Sequence, residues 1–152
     1  MEQREPKILD TGEYVAVLRA LVEEGREVSM VVWGGSMTPF LGHGRDRIFF
    51  AAPQQPLRRG DMVFFRRAGG QNVMHRICRV RPEGFYLVGD AQVRVEGPIR
   101  REQIFARVTR VERKGRLLAP GDPLWDFFAG PWLLLRPLRP AILRLYRALR
   151  RK

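Results

Sequence analysis

The chain has 152 residues, a formal net charge of +12 and a hydrophobic fraction of 45%. This length and composition are typical of one globular domain and exclude a wholly disordered chain. The single cysteine, Cys78, excludes an intrachain disulfide and a Cys-based zinc cluster. The excess of basic residues predicts attraction to polyanions, either nucleic acid or an anionic membrane.

The spacing of apolar residues predicts one helix followed by a series of short strands. The helix is predicted over residues 11–24, where Gly25 is a stop signal. Short runs of β-branched and aromatic residues between Gly and Pro turns predict strands over 28–33, 47–51, 61–66, 72–80, 84–88 and 104–112. We therefore expect a mainly β fold, antiparallel and partly barrel-like, with a helix at each end. The predicted segments are 1–27 (helical), 28–120 (β domain) and 121–152 (basic tail).

The C-terminal tail carries seven basic residues and no acidic one between Pro131 and Lys152. Residues 137–152 predict an amphipathic helix whose apolar face comprises Leu138, Ala141, Ile142, Leu145, Tyr146 and Leu149. Two interpretations are open: the helix packs on its own domain, or it lies on anionic lipid with Trp125 and Trp132 as anchors. Nucleic acid is disfavoured, because no recognition-helix motif or aromatic–basic strand pattern accompanies the charge.

The sequence shows neither of the usual membrane-targeting segments. The first ten residues contain no apolar run of the kind found in secretory signals, and no stretch approaches the roughly 20 apolar residues of a spanning helix. We therefore expect a cytoplasmic protein, with peripheral membrane contact through the tail as its membrane interaction.

The segment "VVWGGSMTPF", residues 31–40, presents Ser36 beside two glycines at the end of a predicted strand. A serine hydroxyl is a poor nucleophile unless a base accepts its proton. The chain has two histidines: His43 in a glycine loop, and His75 in a strand pattern. A histidine on a strand face is more often a packed or solvent-facing residue than a catalytic base, so neither histidine is assigned on this ground alone.

Five boxes follow one another in order: "GGSMTPF", "GRDRIFF", "LRRGDMVFF", "MHRICRV" and "FYLVGDAQ". Over about residues 30–112 this set resembles the S24/S26 serine peptidase superfamily, and within it the signal peptidase family. The resemblance implies Ser36 as nucleophile and His75 as general base, as in the endoplasmic reticulum and archaeal branch. It further implies that Asp90 orients the imidazole, with no metal or cofactor involved. The residues implied to shape the substrate cleft are Gly34, Gly35, Met37 and Pro39.

Three hypotheses differ in function class. The first is a serine endopeptidase that cleaves a signal-like or leader peptide bound in extended form along a strand edge. The second is a repressor-type autoprotease, which is disfavoured because a single helix precedes Ser36. The third is a catalytically silent or regulatory binding module at the membrane surface. In the first hypothesis, the amide of Ser36 would meet the oxyanion, since Gly34 stands where many bacterial members carry a hydroxyl donor.

Overall fold

The computed structural model describes residues 11–150 and consists mainly of antiparallel β-sheet with flanking helices. The helices are α1 (Thr11–Glu23), α2 (Pro123–Ala129), α3 (Pro131–Leu134) and α4 (Arg139–Arg150). The strands are β1 (Val28–Val31), β2 (Arg47–Ala51), β3 (Met62–Arg66), β4 (Asn72–Arg81), β5 (Gly84–Val88), β6 (Glu96–Ile99), β7 (Ile104–Arg113) and β8 (Arg116–Leu118). The predicted antiparallel β architecture with a helix on either side is confirmed.

The eight strands form one sheet in the order β1-β2-β7-β3-β4-β5-β6, and β8 pairs with β7. All pairs are antiparallel. Strand β3 lies in the middle of this path, and its first four residues are buried, which explains the continuous apolar run Met62–Phe65. Strand β2 instead alternates between buried and half-buried residues, as expected of a strand covered mainly on one face.

Two strands were not predicted from the sequence. Strand β6, "EGPI", contains Gly97 and Pro98, which weaken a strand signal because proline cannot donate a ladder hydrogen bond. The proline is tolerated because β6 lies at the end of the sheet path and pairs with β5 alone. Strand β8 has three residues and is too short to produce a periodic pattern.

The three predicted segments share one main hydrophobic core. Val15 and Val22 of α1 pack in the same cluster as Phe40 and Phe64, together with Trp125 and other tail residues. A second cluster lies around Val63, Phe65, Ile77 and Leu87. Alternate residues of β3 therefore serve the two clusters on opposite faces of the sheet.

The tail differs from its prediction in two respects. Trp125 and Trp132 are buried in the main core, so the expectation that they anchor the protein in lipid is wrong. The basic helix α4 begins at Arg139 instead of Pro137, and residues 151 and 152 lie outside the described residues. None of the helices between residues 11 and 150 has the length and apolar character needed to cross a membrane.

Candidate functional site

Ser36 lies in the loop between β1 and β2, and this loop is held at both ends. The Val32 amide donates to the Asp46 carbonyl at 2.8 Å, and the Gly44 amide donates to the Val32 carbonyl at 2.8 Å. The buried Asp46 carboxylate accepts hydrogen bonds from the amides of Gly42 and Lys114 and from the Arg45 side chain, at 2.7–2.9 Å. Burial alone would raise the pKa of Asp46, but these donors outweigh it and lower the pKa. Asp46 therefore stays ionised and fixes the loop.

An apolar cavity of about 180 Å³ opens beside Ser36. Its walls come from β1, β2, β3, β4 and the serine loop, and include Met30, Val32, Met37, Ile48, Phe64 and Met74. Gly34 also lines it, and Ser36 itself is half-buried. A cavity of this size and lining fits one aliphatic side chain of a ligand, next to a serine hydroxyl.

The backbone of Ser36 docks on the segment that follows β5. The Ala91 amide donates to the Ser36 carbonyl at 2.9 Å. A Cβ atom on Gly89 would lie 2.6 Å from that same carbonyl oxygen, so only glycine allows this approach. Gly89 follows Val88, which pairs with Arg76, the neighbour of His75. The Gly-Asp segment thus connects the serine loop to the part of β4 that carries His75.

His75 is only 5% exposed and lies in β4 with its ring 6.0 Å from the ring of Phe65. Its Nδ1 atom is buried without a hydrogen-bond partner, and the Glu96 Oε1 atom lies 3.5 Å away. Burial lowers the pKa of His75, and the nearby Glu96 carboxylate offsets part of that effect. The imidazole is therefore neutral at pH 7, which is the form that can accept a proton.

Glu96, in β6, is the acidic residue that faces the imidazole. Arg67 binds its carboxylate in a bidentate manner, at 3.0 Å from Nε and 2.7 Å from Nη2. This hydrogen bonding lowers the pKa of Glu96. Glu96 is not predicted as a site residue from the sequence, because β6 is not predicted as a strand. The available signal was that Glu96 is the one acidic residue between Asp90 and Ile99.

The structure does not bring Asp90 to the imidazole, which corrects its predicted orienting role. Both Asp90 carboxylate oxygens accept hydrogen bonds from Arg76, each at 2.9 Å, and both side chains are fully buried. Arg76 also donates to the Gly60 carbonyl at 2.9 Å and lies over the Phe40 ring. The physical reason is that the guanidinium of Arg76, which follows His75 in β4, occupies both carboxylate oxygens of Asp90.

The sequence also predicts four residues that shape a substrate cleft around Ser36: Gly34, Gly35, Met37 and Pro39. Among residues 11–150, the amides of Gly35 and Ser36 donate no backbone hydrogen bond, which leaves Ser36 N–H available to an oxyanion. Pro39 does not line the Ser36 cavity as predicted; it lines a neighbouring one shared with α4. The structure thus places Gly34 and Met37, but neither Gly35 nor Pro39, at the cavity.

His43 is held more firmly than its glycine loop predicted. Its Nδ1 atom accepts a hydrogen bond from the Gly34 amide at 2.7 Å, and its ring meets the edge of Trp33 at 5.1 Å. Since Nδ1 is engaged as an acceptor, His43 orders the turn in front of Ser36. No hydrogen bond from the Ser36 hydroxyl to either histidine is formed in the described part of the chain.

The described residues contain no group of three His, Cys, Asp or Glu side chains that could hold a metal ion. The chain matches no family model, no curated protein and no solved structure. The case for a function therefore depends on the geometry around Ser36.

Proposed function

We propose that the protein is a serine endopeptidase in which Ser36 is the nucleophile, His75 the general base and Glu96 the acid that orients the base. The observation that carries the proposal is the arrangement around Gly89. This residue lies against the Ser36 carbonyl and next to the strand position of a buried, neutral histidine whose Nδ1 faces a carboxylate. A hydroxyl, a neutral imidazole and an orienting acid are the three groups that acyl transfer requires.

In this mechanism, each of the three groups has one role. Glu96 Oε1, which lies 3.5 Å from Nδ1 in the structure, approaches to accept a hydrogen bond from Nδ1–H, so that the other ring nitrogen, Nε2, is unprotonated and takes the proton from the Ser36 hydroxyl. The oxygen attacks the scissile carbonyl, and the Ser36 amide donates to the resulting oxyanion. His75 then returns the proton to the leaving amine, and water releases the acyl group by the same route. Phe64 and Met74 line the Ser36 cavity, whereas His75 alternates with Met74 along β4 and lies beside Phe65 on the other face of the sheet. The proposal therefore requires a rearrangement of β4 on substrate binding that brings the imidazole to Ser36.

The proposed substrate is a peptide in extended form with a small apolar side chain next to the cleaved bond. The cavity beside Ser36 supports this specificity, since Met37, Phe64 and Met74 give it an apolar lining. Strand β1 also ends the sheet path, so its outer edge has no strand partner within residues 11–150 and can pair with a peptide backbone. A signal-like or leader peptide has these properties, which agrees with the resemblance to signal peptidases.

The test is covalent labelling of the purified protein by a fluorophosphonate probe, with the modified residue identified by mass spectrometry. We expect labelling at Ser36, none in Ser36→Ala, and a rate at least about a hundredfold lower in His75→Gln. His43→Gln is the matched control for histidine loss and should keep the label, since a glutamine carbonyl oxygen can still accept the hydrogen bond from the Gly34 amide. Labelling that depends on His43 but not on His75 would reverse the assignment of the base.

The alternative is a catalytically silent module that binds a peptide in the same cavity. It is favoured by one observation, the absence of a hydrogen bond between the Ser36 hydroxyl and His75 in the described structure. Two results together would support this alternative and reject the peptidase. The wild-type protein would not be labelled but would bind an apolar peptide, and Met74→Asp would abolish that peptide binding.

A further inference from the structure

A groove of about 900 Å³ lies at the far end of β4 from Ser36 and is lined by five arginines. They come from three places in the chain: the approach to β3, strand β4 and the turn before α4. We call it the arginine groove and define it by Arg58, Arg59, Arg79, Arg81 and Arg136. Along β4, Arg79 lies five residues from Met74, or about 17 Å in an extended strand, so the groove and the Ser36 cavity are separate surfaces.

No ion pair neutralises the arginines of the groove within the described residues, although the exposed Glu83 interacts electrostatically with Arg81. No acidic residue is among those that line it, and none of its guanidiniums is within ion-pair distance of a carboxylate in the described part of the chain. Arg59 and Arg136 donate to the carbonyls of Cys78 and Val93, which positions them without cancelling their charge. Arg79 and Arg81 are exposed on β4. Five guanidiniums around one groove fit anionic oxygens, which arginine binds bidentately.

Next to the groove, the tail exposes large apolar side chains. Leu134, which also lines the groove, is 74% exposed, and Leu138 is 57% exposed. Leu145 and Leu149, one turn apart on α4, are each 62% exposed. We call these four residues the leucine ridge. The helix is held to the domain on its other side, through the buried Arg139 and Leu143 and the half-buried Ile142, so only part of the apolar face expected from the sequence is left exposed.

We propose that the arginine groove and the leucine ridge together dock the protein on an anionic phospholipid membrane. Phosphate-bearing headgroups complement the guanidiniums, while the exposed leucines enter the acyl region beside them. Charge complementarity alone would also suit nucleic acid. The leucines decide between the two, since aliphatic side chains beside a basic surface gain nothing from a solvated phosphate backbone but do gain from lipid. This inference does not depend on the peptidase proposal.

The test is flotation of the full chain with vesicles of phosphatidylcholine alone and with added phosphatidylglycerol. We expect binding to the anionic vesicles only. Each basic residue near an anionic surface contributes roughly a fivefold change in affinity, so Arg79→Glu/Arg81→Glu should weaken binding by at least about 25-fold. Arg26→Glu/Arg116→Glu, on exposed residues outside both surfaces, lowers the net charge by the same amount and should retain binding.

A second variant separates lipid insertion from charge. Leu134→Gln/Leu138→Gln should lose the vesicle binding that survives high salt, because salt screens the arginines but not apolar burial. All of these side chains are exposed or line the groove rim, and unchanged thermal unfolding would show that the variants are folded. Any one of three results would overturn the proposal: equal binding to neutral and anionic vesicles, undiminished binding by the Arg79→Glu/Arg81→Glu variant, or a preference for a single-stranded oligonucleotide over vesicles. The Ser36 labelling reaction should be unchanged in the groove variants, so failure here is distinguishable from failure of the peptidase proposal.

Discussion

Replacing Asp90 by alanine should destabilise the protein strongly, because it would leave Arg76 charged and buried without its counter-ion. Both side chains are 0% exposed, and both Asp90 oxygens accept from Arg76. Removing one partner of a buried ion pair costs about 3–5 kcal/mol. For a chain of this size, each kcal/mol corresponds to roughly 2–4 °C in Tm, so the expected decrease is roughly 6–20 °C.

The assay is thermal unfolding followed by circular dichroism, with probe labelling measured at a temperature where the variant is folded. Glu96→Gln is the comparator, because Glu96 is half-buried and faces His75. We expect Asp90→Ala to lose mainly stability and Glu96→Gln to lose mainly labelling rate. The double variant Arg76→Met/Asp90→Leu should recover much of the lost stability, since apolar replacements of buried pairs are often neutral.

The opposite pattern would refute this reasoning. If Asp90→Ala unfolds at the wild-type temperature but is not labelled, while Glu96→Gln is labelled normally, then Asp90 would be the group that orients the imidazole. The pairing of Asp90 with Arg76 would then not describe the protein in solution.

Two further results are expected around the same site. Gly89→Ala should lower the labelling rate about a hundredfold, because its Cβ would lie 2.6 Å from the Ser36 carbonyl and displace Ser36. Gly69→Ala, where a Cβ meets nothing within 4 Å, is the control, and an equal effect of both would contradict the role of close packing. Burial lowers the pKa of His75, so the neutral base should persist below its ordinary pKa of about 6.5 and be lost only as the pH falls through the lowered value. In Glu96→Gln, the midpoint of the rate–pH profile should shift further to acid, since the carboxylate raises that pKa, whereas a wild-type midpoint above 6.5 would contradict the burial of His75.

The regular elements were predictable because their signals are local. Strands β2 and β5 begin and end at the predicted residues, and α1 ends one residue early, at Glu23. Each combines a periodic apolar pattern with Gly or Pro at its boundaries. Strand β6 was not predictable in this way, because its pairing with β5 compensates for a Gly-Pro sequence that locally disfavours a strand.

The site was predictable in part, for a related reason. Ser36 and His75 are marked by short boxes of neighbouring residues, whereas the carboxylate nearest His75 is chosen by packing between distant segments. Arg76 is adjacent to His75 in sequence, and it binds the Asp90 carboxylate, so that Asp90 does not face the imidazole. Arg67 binds Glu96, which lies 29 positions further along the chain, and holds it beside His75. Such a choice between two carboxylates depends on side-chain directions that a one-dimensional pattern does not contain.

The burial of the tail in the core has a consequence for biosynthesis. Arg139 donates to the carbonyls of Gly89 and Gln92, and the Trp132 indole donates to the carbonyl of Asp90. These contacts secure the segment against which Ser36 rests, and they come from residues 42 to 50 positions further along the chain, which leave the ribosome later because chains emerge N-terminus first. The segment beside Ser36 is therefore not held in place on a nascent chain until Trp132 and Arg139 have emerged and docked.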